Sequence, residues 1–247
     1  MAKKLVEYYD LDYAKMMAEK FLLVEANFPA DRFVEMAAQN LGEESFLQRQ
    51  DMYVDWMISV LGDDYEKNIA LFRMIWGDEL KQETGMFTEG WWLWPISRYV
   101  TRFACSNPQL TYDFLKEFTK RHTGEFAIRP LLMEHNERTM QVMLLWSEDD
   151  NVHVRRLASE GLRIALPWAN KTTAGIQDFV LYKKILSNLR HDASKFVQKS
   201  VGNNLNDLYK YDAALANEIV QEWESEELSD ACRWIIKHGK RSLEKKK

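Results

Sequence analysis

The feature that most constrains this chain is a segment that returns about every 40 residues. The run Asp149-Asp150-Asn151-Val152-His153-Val154-Arg155-Arg156-Leu157 is answered 43 residues on by Asp192-Ala193-Ser194-Lys195-Phe196-Val197-Gln198-Lys199-Ser200. A third copy, Asp230-Ala231-Cys232-Arg233-Trp234-Ile235-Ile236-Lys237, opens 38 residues after the second. Each copy starts with an acidic residue suited to a helix N-cap and continues with apolar residues. Each then carries a cation at the same place: Arg156, Lys199 and Lys237.

A period near 40 residues with an Asp…Val-Arg core is the pattern of HEAT-type helical hairpins, in which each unit buries its neighbour's apolar face. The expected fold is all-α: a right-handed α-solenoid of stacked helix pairs forming a single domain over residues 1–247. Glycine and proline, 10 and 5 of 247 residues, come to about half of average usage, too little turn punctuation for a β-sandwich or a doubly wound α/β fold. Apolar residues recur near every 3.6 positions over residues 11–24 and Phe46–Leu61, and residues 112–119 follow the helix start Asn107-Pro108. No run approaches 18 uninterrupted apolar residues, and the N-terminus is acidic where a secretory signal would be apolar. Cys105 and Cys232 form no disulfide framework or paired metal motif, so a reduced cytoplasmic protein is expected.

The net charge of −5 argues against a nucleic-acid partner until the chain is divided. Residues 1–150 carry 16 Lys and Arg against 26 Asp and Glu, whereas residues 151–247 carry 17 against 12. A basic back half can face phosphates, and the repeated cations would then form a ladder along one concave surface. The alternatives are a solvated surface of uneven sign and, for the ladder, ion pairs with the preceding acids.

Three segments are unusual for a helical scaffold. In Thr123-Gly124-Glu125-Phe126-Ala127-Ile128-Arg129-Pro130 a carboxylate lies among apolar residues with an arginine four positions on, on the same helical face. Leu166-Pro167-Trp168-Ala169 is a rigid turn that presents a tryptophan after a repeat helix. Asn203-Asn204-Leu205-Asn206-Asp207 places polar side chains at a helix end where packing favours aliphatics, which marks a site or a network of inter-repeat hydrogen bonds.

These motifs carry a resemblance. The run from His153 to Gly161 with Leu166-Pro167-Trp168-Ala169 closely resembles the bacterial DNA alkylation repair proteins, the HEAT-like-repeat alkylpurine DNA glycosylases, with the AlkC branch nearer than the AlkD branch. Glu125 to Pro130, Ser200 to Asp207 and Trp234-Ile235-Ile236-Lys237-His238-Gly239 fit the same family. The similarity runs over residues 91–243, and the first 90 residues match loosely. It implies excision of cationic N-alkylated bases such as 3-methyladenine from double-stranded DNA by a monomer that grips the backbone without flipping the lesion into a deep pocket. It also implies a place in the bacterial cytosol, at the nucleoid when acting. Carried over by motif, Glu125, Trp168 and Asp207 are the catalytic positions. Arg155, Arg156, Arg163, Lys199, Asn203, Asn204, Lys237, His238 and Arg241 are the DNA-binding ones.

The implied chemistry is coherent. A cationic base is already an activated leaving group, so what needs stabilising is a sugar that becomes oxocarbenium-like as the bond stretches. Asp207 suits that role, Trp168 can lay its ring face on the cation, and Glu125 can add negative potential or position water. No cofactor or metal is expected, and the five histidines lack metal-ligand spacing.

The chain also departs from the pattern. Relatives often carry further arginine and proline where this chain has Leu162-Arg163-Ile164-Ala165, which weakens phosphate contact. Gly202 precedes the asparagine pair, a change to which the sequence alone attaches no consequence. The chain ends soon after Leu243, so the β-sandwich module of some relatives is expected to be absent. Trp91-Trp92-Leu93-Trp94 reads as packing, the methionines as core filler, and Lys245-Lys246-Lys247 as a frayed basic tail. Two rival functions remain: a non-catalytic binder of damaged or branched DNA, which would not depend on Asp207, and a protein-interaction scaffold, which would not bind DNA at all.

Overall fold

The computed structural model describes residues 3–84 and 89–244; the basic tail Lys245-Lys246-Lys247 lies outside them. Among the described residues the secondary structure is entirely helical, and no helix is long and apolar enough to cross a membrane. The HEAT-like helical repeat class read from the sequence is the observed one. The helices are α1 (Leu11–Leu22), α2 (Ala30–Asn40), α3 (Phe46–Leu61), α4 (Tyr65–Ile75), α5 (Trp94–Phe103), α6 (Pro108–Phe118) and α7 (Ile128–Glu134). They continue as α8 (Asn136–Trp146), α9 (Val152–Glu160), α10 (Phe179–Asn188), α11 (Lys195–Tyr211), α12 (Ala213–Glu224) and α13 (Asp230–Glu244). The chain divides into two compact units, Met1–Leu80 with Gly85–His122, and Lys81–Thr84 with Thr123–Lys247.

In the first unit, α1 packs on α2 and α3 on α5 around buried Tyr9, Tyr13, Phe21, Phe33, Tyr53, Phe72 and Tyr99. A buried phenol needs a partner, and the tryptophan cluster supplies two through its backbone. The Tyr9 hydroxyl donates to the Trp91 carbonyl at 2.7 Å and the Tyr13 hydroxyl to the Trp92 carbonyl at 2.8 Å. Trp94 is buried with its ring edge-on to Phe46, so this cluster is packing.

The second unit holds the repeats. The acids that open them are not the N-caps expected. Asn151 caps α9, accepting from His153 N, and Ser194 caps α11, accepting from Phe196 N. Asp149 and Asp192 stand two residues earlier and accept from the backbone N–H of Asn151 and Ser194, each at 2.8 Å. The acids thus close the turn before each helix, a short-range Asx geometry, and leave the cap to the next polar residue. Ser229 plays the cap's part ahead of α13, accepting from Cys232 N.

Helix α11 is the centre of the unit, packed against α13, α9 and α12. It does not end near the asparagines, as expected, but runs through them for 17 residues. Their amides are satisfied across helices: Asn204 donates to the Ser159 carbonyl at 2.8 Å and Asn206 to the Gly239 carbonyl at 2.8 Å. With those partners in place the polar residues no longer favour a turn.

Gly202 has a consequence here. A Cβ added to it would fall 2.8 Å from the His238 ring, and one on Gly239 would fall 2.7 Å from Leu205 Cβ. These two glycines let α11 and α13 approach. Gly239→Val is therefore expected to destabilise the fold by about 1–3 kcal/mol through overpacking, read as a lowered Tm by thermal unfolding. An unchanged Tm would show that the helices part freely.

Candidate DNA-repair site

The second unit brings Glu125, Glu160 and Asp207 together through two arginines. Glu125 sits in the turn before α7, 3% exposed, and accepts from the Thr123 hydroxyl at 2.8 Å. Arg156 on α9 reaches it with Nη1 at 2.5 Å and reaches Glu160, one turn on, with Nη2 at 3.5 Å. Arg163, just past α9, bonds Glu160 Oε1 through Nη1 at 2.9 Å and Asp207 Oδ2 through Nε at 3.0 Å. The Ala165 backbone N–H also donates to Asp207 Oδ2, at 3.3 Å. The outcome is an alternating buried chain, Glu125–Arg156–Glu160–Arg163–Asp207.

Burial sets the proton affinities within it. Desolvation pushes the Glu125 carboxyl up, and Arg156 and Thr123 offset this only in part because Glu160 adds like-charge repulsion. Desolvation acts on Glu160 too, but Arg156, Arg163 and the Ser200 hydroxyl together outweigh it and hold that carboxyl below its ordinary value. The two carboxylates share Arg156 and are driven apart.

The expected pairing of Glu125 with Arg129 on one helical face is not formed, because Glu125 precedes the helix. Arg129 instead donates to the Arg163 carbonyl at 2.8 Å and the Asn170 carbonyl at 2.7 Å. It thereby fastens the loop that carries Trp168. Trp168 is 49% exposed with φ at +59°, a left-handed conformation that is costly for a bulky side chain and persists only where surroundings impose it.

Of the three cations that recur in the repeats, Lys199 and Lys237 are exposed. Arg156 departs from them: besides its two carboxylates, its guanidinium lies 4.9 Å over the Phe196 ring. Arg155 is likewise engaged, bonding Asp192 at 2.6 Å across the repeat boundary. Arg163 is buried against Asp207 and Glu160 and Asn204 against Ser159, so neither stands open to a phosphate. On α13, Arg241 donates to Asn203 Oδ1 at 3.0 Å and its neighbour His238 stands 3.1 Å from the same atom. Burial, with Arg241 and Lys199 nearby, lowers the His238 pKa, which favours the neutral ring. Sequence reasoning assigned no role to Glu160, although it stands one helical turn after Arg156 and three residues before Arg163.

A family model described as DNA alkylation repair enzyme matches residues 114–242. The chain is 40% identical to the Bacillus subtilis (strain 168) protein YhaZ over 148 residues, 60% of this chain and 41% of YhaZ. Its structure is similar to that of the Pseudomonas fluorescens alkylpurine DNA glycosylase AlkC bound to DNA containing an abasic site analog, with a TM-score of 0.86 and 32% identity. That similarity covers 99% of this chain and 66% of the AlkC chain. The chain thus spans less than two thirds of the length of each relative. With more than half of its residues matched by the family model, the chain belongs to the DNA alkylation repair enzyme family.

Proposed function

We propose that the protein is a monofunctional DNA glycosylase that hydrolyses the N-glycosidic bond of cationic N-alkylated bases, such as 3-methyladenine, in duplex DNA. The observation that carries the reading is the joining of Glu125 and Asp207 in one buried assembly, with Arg129 fastening the Trp168 loop to it. A carboxylate in a site of low dielectric stabilises a developing oxocarbenium far more than one in water. Asp207 meets that need at the sugar. The half-exposed Trp168 ring offers its face to the cationic base, an attraction of about 1–2 kcal/mol once water is excluded. Glu125 adds negative charge and can hold the attacking water. Lys199 and Lys237 grip backbone phosphates.

Treatment of methylated duplex DNA with the protein and then alkali is expected to break strands at the abasic sites left behind. Intact strands, with salt-dependent DNA binding retained, would favour the non-catalytic binder. Intact strands without binding would favour a scaffold.

The pH dependence follows from Glu125. Burial holds its carboxyl above the ordinary carboxylate range, so the ionised form is lost as pH falls through that raised value. The single-turnover excision rate is expected to show an acid limb displaced upward from the ordinary carboxylate range, removed in Glu125→Gln. A wild-type profile without that limb would detach Glu125 from the reaction.

A further inference from the structure

We infer that Glu160 is a positioning residue of the excision site, using one carboxylate to hold both arginines and so to set Glu125 and Asp207 relative to one another. The inference rests on the reading above, in which those two carboxylates act on the damaged nucleotide.

The geometry is that of a hub. Glu160 Oε1 takes Arg163 at 2.9 Å and Arg156 at 3.5 Å, while Oε2 takes the Ser200 hydroxyl at 2.6 Å. Ser200 in turn bonds Ser159 at 3.0 Å, and Asn204 donates to Ser159 Oγ at 2.9 Å. Helix α11 thus braces the hub from one side and α9 carries it from the other. At 5% exposure, with both oxygens engaged, Glu160 has no atom free for a substrate and acts through its neighbours. Arg156 and Arg163 each use one end on Glu160 and the other on a candidate catalytic carboxylate. Without Glu160 each arginine could follow its outer partner, and the two carboxylates would lose their common reference.

The hub is electrostatic as well. Glu125 is faced by Arg156 and Glu160 on α9 and by Arg129 on α7. Asp207 is faced by Arg163, by Arg129 on α7, by Tyr182 on α10 and by Arg241 on α13. The charge on Glu160 is the like-charge neighbour that helps keep the Glu125 carboxyl high.

Glu160→Gln tests this on duplex DNA carrying 3-methyladenine, with single-turnover rates measured across pH. The side chain keeps its length and loses its charge. The maximal rate is expected to fall about ten- to a hundredfold, the scale of a small misplacement of reacting groups, with DNA affinity nearly unchanged. The acid limb is expected to move to lower pH, because the repulsion on Glu125 is gone. Glu160→Asp, which restores the charge, should return the limb towards its wild-type place. A purely structural role would not move the limb. A wild-type rate and an unmoved limb in folded Glu160→Gln would overturn the inference while leaving the glycosylase reading intact. No excision by the wild-type protein would overturn that reading instead. Should Glu160→Gln not fold, Ser200→Ala keeps the Glu160 carboxylate and removes the hydroxyl's bonds to Oε2 and to Ser159, and a wild-type rate there would overturn the inference equally.

Discussion

Asp207→Asn is expected to lower the rate of base release at least about a hundredfold, the usual consequence of removing a preorganised charge from a transition state. The fold should persist. An asparagine oxygen at the Oδ2 place still accepts from Arg163 Nε and from the Ala165 N–H, and Arg163 keeps Glu160 as a counterion. DNA affinity and its salt dependence should change little, because Lys199 and Lys237, the exposed lysines proposed to meet phosphates, are other residues. The decisive comparison is single-turnover excision against filter binding on the same DNA. A rate within a few-fold of wild type would remove Asp207 from the chemistry. A matching loss of affinity would make it a binding residue.

Arg156→Ala is expected to have the largest effect on stability. It leaves Glu125 and Glu160 buried without the guanidinium they share, and an uncompensated buried charge costs about 3–5 kcal/mol. For a chain of this size that is a fall in Tm of roughly 6–20 °C. The sign of the pH effect is fixed. Both carboxyls titrate higher once the cation is gone, so they shed their charge more readily in acid and the penalty shrinks as pH falls. Glu125→Gln in the same chain should recover much of the loss, a coupling that a double-mutant cycle of urea unfolding measures. A loss below about 1 kcal/mol would mean that solvent screens the pair, as it does for surface ion pairs. Arg156 would then be free to act as part of the phosphate track.

What the sequence revealed and what it concealed divide along the range of the interaction. Helix α3 runs over the residues its periodicity marks, Phe46–Leu61, and α6 starts at Pro108 behind its Asn107 cap, because local spacing and capping decide those elements. The length of α11 was not legible. Asn203, Asn204 and Asn206 read locally as the end of a helix, and only partners some 33 to 45 residues away make them interior. Glu125 and Arg129 matched an intrahelical pair by spacing, yet the turn at Gly124 holds Glu125 ahead of α7 and sends it to Arg156 instead. The candidate site was legible as motifs and not as an assembly. Glu125, Trp168 and Asp207 each stand in a separate motif. Glu160 joins two of them through Arg156 and Arg163, and its further partner, Ser200, comes from another repeat.

The identity of the bases released from alkylated duplex DNA, determined by mass spectrometry, tests the central claim most directly. Release of cationic bases, 3-methyladenine foremost, is expected, with no release of neutral lesions, since the proposed site offers negative charge and an aromatic face rather than a strong proton donor. Release of neutral bases at comparable rates, or of no base by the folded protein, would contradict that claim.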